Sequence, residues 1–254
     1  MRRRCRRPAM VFVAMALLVA CGSSSSTANR GQAASTAPAP TSTAPTTTAP
    51  APSTSVALPD PRLADVGTAG QAVIVTAPRY GAVTATLTAY EREAGGWRAA
   101  FGPWPAHVGT RGVAPPDEKR EGDGRTPSGF YGFDFFFGVA PDPGVQFPYR
   151  RITSRSIVWD DDPESPLYNT WVDLDRQQAG PSPEPMYTRP AYDHGAVIAY
   201  NTARTPGSGS AIFLHVSTGG PTAGCVSLPA SQLVDVLRWL DPARDPRIVI
   251  GVAG

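Results

Sequence analysis

From residue 71 onward the chain is built of short runs in which apolar and polar positions alternate. Val83-Thr84-Ala85-Thr86-Leu87-Thr88-Ala89-Tyr90 is the clearest, and predicts a half-buried strand. Gln71 to Ala77, centred on Val73, Ile74 and Val75, predicts a buried strand before it. Gly95-Gly96 marks a turn, and Trp97 to Phe101 reads as the returning strand. Phe101 to Gly109 follows as loop and short strand, and Phe130 to Phe137 as an aromatic-rich strand. His194 to Asn201 and Arg247 to Val252 complete the β pattern, with Gly138 to Gln178 rich in loops between. Helical spacing occurs once: Leu233, Val236, Leu237 and Leu240 share one face of a helix from Pro229 to Leu240, stopped by Asp241-Pro242. Many strands and one short C-terminal helix predict a mainly β domain, an antiparallel sandwich or barrel-like sheet.

Composition changes sharply toward the N-terminus. Residues 22–59 are almost wholly Ser, Thr, Ala, Pro and Gly, too poor in apolar surface to order themselves, and read as a disordered tether. About 38 residues in extended polyproline form reach on the order of 100 Å. Ahead of it, five arginines precede an apolar run from Ala9 to Ala20, too short to span a bilayer but proportioned like a signal peptide. The run ends Leu18-Val19-Ala20-Cys21-Gly22, which resembles a bacterial lipobox; the expectation is cleavage before Cys21 and lipidation of its thiol. The predicted division is therefore signal peptide 1–20, lipidated Cys21 and tether 21–60, and one domain over 61–254.

Processing alters charge and cysteine count together. The chain carries 23 Lys+Arg and 21 Asp+Glu. Without Arg2, Arg3, Arg4, Arg6 and Arg7 the basic count is 18 against 21, a formal charge of −3. No basic stripe interleaved with aromatics is present, so nucleic-acid binding is not expected. Of the three cysteines, Cys5 leaves with the signal and Cys21 becomes a thioether. Cys225 is then a lone thiol outside the cytoplasm, which marks it as a candidate nucleophile.

Cys225 stands at the end of Ile212-Phe213-Leu214-His215-Val216-Ser217-Thr218-Gly219-Gly220-Pro221-Thr222-Ala223-Gly224-Cys225-Val226-Ser227-Leu228. Two strand-like runs flank a loop of small residues, and the simplest geometry is a wide hairpin with His215 and Cys225 on facing strands. Facing Cβ atoms there are roughly 4.5–5.5 Å apart, so an imidazole reaches a thiol. A thiol beside a base is the minimal unit of nucleophilic catalysis. Gly224 lets the chain turn sharply, and its amide is a candidate oxyanion donor. Thr222 is a candidate support for the loop, and Ser217 or a backbone carbonyl a candidate to orient His215.

Other chemistry is thinner. His107, among Val and Pro, reads as a packed or surface residue. His194 precedes its strand and lies far from Cys225 in sequence, so His215 is the preferred base. Asp160-Asp161-Asp162 matches no cation loop and reads as a solvated turn. No glycine-rich phosphate loop and no metal-ligand cluster is seen, and no cofactor or metal is expected.

Thr222-Ala223-Gly224-Cys225-Val226, preceded by His215, resembles the catalytic motif of the YkuD-type L,D-transpeptidases, in which Ser/Thr-His-Gly-Cys follows a His and a loop. It is similar to a single-His, short-loop form found in lipoproteins of high-GC Gram-positive bacteria, with Ala223 where the second His stands. Gly122-Asp123-Gly124-Arg125-Thr126-Pro127-Ser128-Gly129-Phe130-Tyr131 also resembles the family. By its residues alone it reads as a type I turn over Thr126-Pro127-Ser128-Gly129 before a strand. Tyr168-Asn169-Thr170-Trp171-Val172 is similar too, either lining a groove for a sugar-peptide polymer or packing a loop.

The resemblance implies a YkuD-like β fold and a peptidoglycan substrate. Cys225 would attack a tetrapeptide stem with loss of the terminal D-alanine, and His215 would move the protons. The acyl group would pass to the side-chain amine of a second stem, giving a 3–3 cross-link. It also implies acylation by carbapenems. The lipid anchor and tether agree with a wall substrate, and a monomer held to the membrane and facing the wall is expected. Alternatives from the same residues are an L,D-carboxypeptidase, a non-catalytic wall-binding lipoprotein, and a sortase-like enzyme using Arg247. NlpC/P60 peptidases fit poorly, because their Cys precedes the His.

Overall fold

The computed structural model describes residues 58–254. The expected signal peptide, Cys21 and nearly all of the tether lie outside the described residues. At the start of the described chain Asp60 caps a short 3-10 helix over Pro61–Ala64, its carboxylate accepting the Arg62 amide.

Strands β1 (Gln71–Ala77), β2 (Thr84–Glu93) and β3 (Gly96–His107) form an antiparallel meander. The expected loop after Phe101 is a continuation of β3, which pairs with β2 as far as His107. Next come β4 (Val113–Ala114), β5 (Thr126–Pro127), β6 (Gly129–Tyr131), β7 (Phe133–Gly138) and β8 (Tyr149–Arg151). β9 (Ile157–Asp160), β10 (Thr170–Asp173) and β11 (Glu184–Pro185) make a separate three-stranded sheet. β12 (Gly195–Ile198), β13 (Phe213–Val216) and β14 (Val226–Leu228) lead into α1 (Ala230–Trp239), and β15 (Arg247–Val252) closes the chain.

The main sheet has ten strands in the order β6-β15-β1-β2-β3-β14-β13-β12-β7-β8, curled into a half-barrel. The fold is mainly β with one helix near the C-terminus, as the pattern predicts. Its pairing is mixed: β1 with β15, β13 with β14, and β7 with β8 are parallel. Two expectations fail locally. Thr126-Pro127 is extended and pairs with Val113-Ala114, so no type I turn forms there. The aromatic run is two strands broken at Gly132, toward opposite ends of the order: β6 pairs with β15, and β7 with β12 and β8.

The two faces of the sheet carry different cores. Leu214, Val216, Val226 and Leu228 pack on one face with Leu233, Val236 and Leu237 of α1 and Leu240 at its C-cap. Phe213, Phe137, Trp159, Tyr192 and Cys225 pack on the other. Phe135 and Phe137 join this second core while Phe136 joins the first, so three consecutive phenylalanines of β7 are buried because both faces are covered there.

Candidate active site

Parallel pairing of β13 and β14 sets the site. Leu214 pairs with Val226, His215 with Ser227 and Val216 with Leu228, so the expected hairpin is not formed. After Val216 the chain crosses to the end of β3, where the Thr222 amide donates to Val108 O at 2.9 Å and the Thr110 amide donates to Thr222 O at 2.8 Å. It then returns as β14, inserted between β13 and β3. Phe213, His215, Cys225 and Ser227 thus share the face opposite α1. Diagonal neighbours on paired strands lie roughly 7–8 Å apart, within reach of an aromatic side chain.

His215 and Cys225 both line one cavity of about 300 Å³, together with Thr222, Gly224, Tyr192 and Glu184. The Cys225 thiol is buried, donates to the Ala211 carbonyl at 3.2 Å and accepts the Phe213 amide at 3.4 Å. Burial pushes this thiol well above its ordinary value, with the nearby Glu184 charge acting in the same direction. His215 Nδ1 lies 2.9 Å from the Val216 carbonyl. A carbonyl only accepts, so Nδ1 carries the hydrogen and Nε2 keeps its lone pair. Burial holds the imidazole below its ordinary value, which keeps it neutral at pH 7. A backbone carbonyl therefore orients His215. Ser217, the other candidate, lies with its Oγ 3.3 Å from His107 Nδ1.

The loop ahead of the thiol is stapled by threonines. Thr222 Oγ donates to the Cys225 carbonyl at 2.7 Å and accepts the Gly224 amide at 3.1 Å. This occupies the Gly224 N–H, so it is not a free oxyanion donor; the Cys225 amide finds no acceptor among the described residues. At Gly224 the close approach of a neighbouring backbone segment matters more than a sharp turn. A Cβ there would stand 3.1 Å from the Arg125 carbonyl and 3.5 Å from Ile212 Cδ1. Thr126, read from sequence as part of a turn, is fully buried beneath Cys225. Its Oγ donates to Cys225 O at 3.0 Å and accepts the Gly109 amide at 2.9 Å.

The remaining candidates fall elsewhere. Gly195 pairs with His215, so His194 points to the opposite face, where Tyr149 Oη is 3.2 Å from its Nδ1. His107 is on β3 opposite Ser227 and does not line the cavity. Strands β1 to β3 separate β15 from β14, and Arg247 pairs with Asp245 at 2.7 Å; a sortase-like role for Arg247 is excluded. The acidic triple is not a solvated turn. Asp160 is fully buried, accepting Ser165 Oγ at 2.7 Å and the Gly180 amide at 3.0 Å, while Asp161 faces the cavity.

Sequence reasoning missed Glu184 and Tyr192. Tyr192 donates its hydroxyl to Glu184 and sets its ring edge-on to His215, centroids 5.4 Å apart. Burial pushes the Glu184 carboxyl up to about 7. Neither residue lies in a recognisable motif, and the β9–β11 sheet brings Glu184 to the cavity through the pairing Glu184 to Trp159. A second cavity of about 270 Å³ shares Ile212 with the first and is lined by Asn169, Thr170, Trp171, Phe135 and Arg150. Arg150 stacks over Phe135 at 3.5 Å. Of the Tyr168–Val172 segment, Tyr168 and Val172 are buried and the three residues between face this second cavity.

The model of the YkuD L,D-transpeptidase catalytic domain matches residues 82–250, most of the described chain. The protein belongs to this family. No curated relative matches the sequence. Among solved structures, the helical cell shape determining protein Pgp2 from Campylobacter jejuni is similar at 15% identity and a TM-score of 0.36, over 76% of this chain and 54% of that one.

Proposed function

We propose that this protein is a cell-wall L,D-transpeptidase, tethered outside the membrane through Cys21, that works through a Cys225 acyl-enzyme. The observation that carries this is the shared cavity: one buried thiol and one neutral, oriented imidazole line it from neighbouring strands. Family membership supports the peptidoglycan substrate.

The steps follow from the groups present. His215 Nε2 takes the thiol proton as Sγ attacks the carbonyl before the terminal D-alanine of a tetrapeptide stem. The Cys225 amide is the candidate donor to the developing oxyanion, and Thr222 and Thr126 anchor the carbonyl on the other side of the same residue. His215 returns the proton to the departing D-alanine nitrogen. The amine of a second stem then attacks the thioester and forms the 3–3 cross-link. The second cavity, with Trp171, Phe135 and Arg150, suits the rest of a sugar-peptide strand.

The test is release of D-alanine from a disaccharide tetrapeptide by the full-length protein and by Cys225→Ala. Loss of release in the variant, with its melting curve unchanged, supports the reading. Undiminished release removes Cys225 as nucleophile.

A further inference from the structure

The Cys225 cavity holds three carboxylates, Glu121, Asp161 and Glu184. None of them forms an ion pair among the described residues. The one lysine or arginine in the lining, Lys119, is committed to Asp123 at 2.7 Å and to the Arg120 carbonyl at 2.5 Å. Glu121 is met by neutral donors, the hydroxyls of Tyr168 and Ser210. Glu184 is part-buried and receives the Tyr192 hydroxyl on Oε1; its Oε2 has no partner among the described residues. Carboxylates gathered in a part-desolvated cleft attract a cation far more strongly than the same groups in water.

We propose that Glu184 receives the ammonium group of the incoming acceptor stem and takes a proton from it, so that the cavity selects a cationic amine as acceptor. This rests on the acyl-transfer reading above and deepens it. An ammonium cannot attack a thioester, because its nitrogen has no lone pair. Transfer of one proton to the Glu184 carboxylate frees that pair. The nitrogen then bonds to the acyl carbon as the C–S bond breaks, and its second proton passes through His215 to the departing Cys225 sulfur. The products are an amide, a thiol and a protonated Glu184, which returns its proton to solvent.

The surroundings fit the task. Burial raises the proton affinity of Glu184 above that of an exposed carboxylate, which suits it to accept from an ammonium. Tyr192 fixes the carboxylate beside the base, since one end bonds Glu184 and its ring abuts His215.

The experiment uses full-length protein with a tetrapeptide donor and a diaminopimelate-bearing tripeptide acceptor, and reads the ratio of cross-linked dimer to free D-alanine. Glu184→Gln is expected to lower that ratio at least about tenfold, a floor below the about 10²–10⁴-fold that a positioned proton acceptor contributes. Glu184→Asp is expected to recover part of it, Tyr192→Phe to lower it less, and His194→Ala to match wild type. A Glu184→Gln ratio within about twofold of wild type overturns the proposal. So does loss of D-alanine release by Glu184→Gln at an unchanged ratio or with no product at all, since Glu184 would then serve the first half-reaction. Absence of D-alanine release from wild type overturns the acyl-transfer reading itself.

Discussion

The Cys225 thiol rests on the carbonyl of Ala211, with Sγ to O at 3.2 Å. Ala211 holds φ at +53°, a left-handed conformation that non-glycine residues adopt at a cost of about 1–2 kcal/mol. What keeps it there is Asn169, whose Oδ1 accepts the Ala211 amide at 3.2 Å and the Trp159 indole N–H at 3.0 Å. Its Nδ2 donates to the Tyr200 and Asn201 carbonyls at 3.2 and 3.0 Å. The resting position of the Cys225 thiol is thus set from a neighbouring loop.

Asn169→Ala is expected to destabilise the fold by about 1–3 kcal/mol, the cost of leaving buried polar groups unmet, and to slow thiol acylation as well. Chemical denaturation and the rate of carbapenem adduct formation measure the two effects. A variant with wild-type stability and rate would show that Asn169 does not fix the Ala211 carbonyl.

The two histidines separate by face. His215→Ala is expected to lower D-alanine release by about 10²–10⁴-fold, the usual contribution of a general base. His194→Ala, on the α1 side of the sheet, is expected to stay within about threefold of wild type, well below that range. The reverse order would move the base to the other face.

Thr126 is the buried support of the Cys225 carbonyl. Thr126→Val keeps the shape but leaves the Gly109 amide without its acceptor. The expected cost is about 1–3 kcal/mol in unfolding free energy, with slower acylation. Gly224→Ala presses a methyl group against the Arg125 carbonyl and is expected to cost about 1–3 kcal/mol. Thermal melts of both variants at wild-type values would contradict the packing described around this peptide.

Glu184 gives the pH prediction. Its ordinary value is 4.5 and its folded value about 7, so the folded chain binds the proton more tightly. Its contribution to stability is fully present below about pH 4.5 and is lost as pH rises through about 7. Replacing it with Gln removes this dependence. The unfolding free energy of wild type minus that of Glu184→Gln should therefore fall between those two values. A flat difference across the window would place the carboxyl in contact with bulk water.

Much of the fold is legible in the sequence because each periodicity answers to one packing partner. The Leu233, Val236, Leu237, Leu240 stripe became the buried face of α1 and its C-cap, and the alternation from Thr84 to Tyr90 became part of β2. Strand direction is not written in that alternation. The runs around His215 and Cys225 read the same whether paired as a hairpin or in parallel, and the loop is long enough to pass by the end of β3 before returning. Likewise Thr126-Pro127-Ser128-Gly129 has turn chemistry, but pairing with Val113-Ala114 overrides it. His215 and Cys225 were visible because they flank one loop. Glu184, Tyr192 and Thr126 were not, because tertiary pairing alone brings them to the cavity.

The most direct measurement of the central claim is the intact mass of the full-length protein after incubation with a carbapenem, beside Cys225→Ala. The account predicts one adduct on wild type, mapped to Cys225, and none on the variant. A wild-type thiol inert to both carbapenem and a small alkylating agent would contradict it, and would make Cys225 a core residue of a wall-binding lipoprotein.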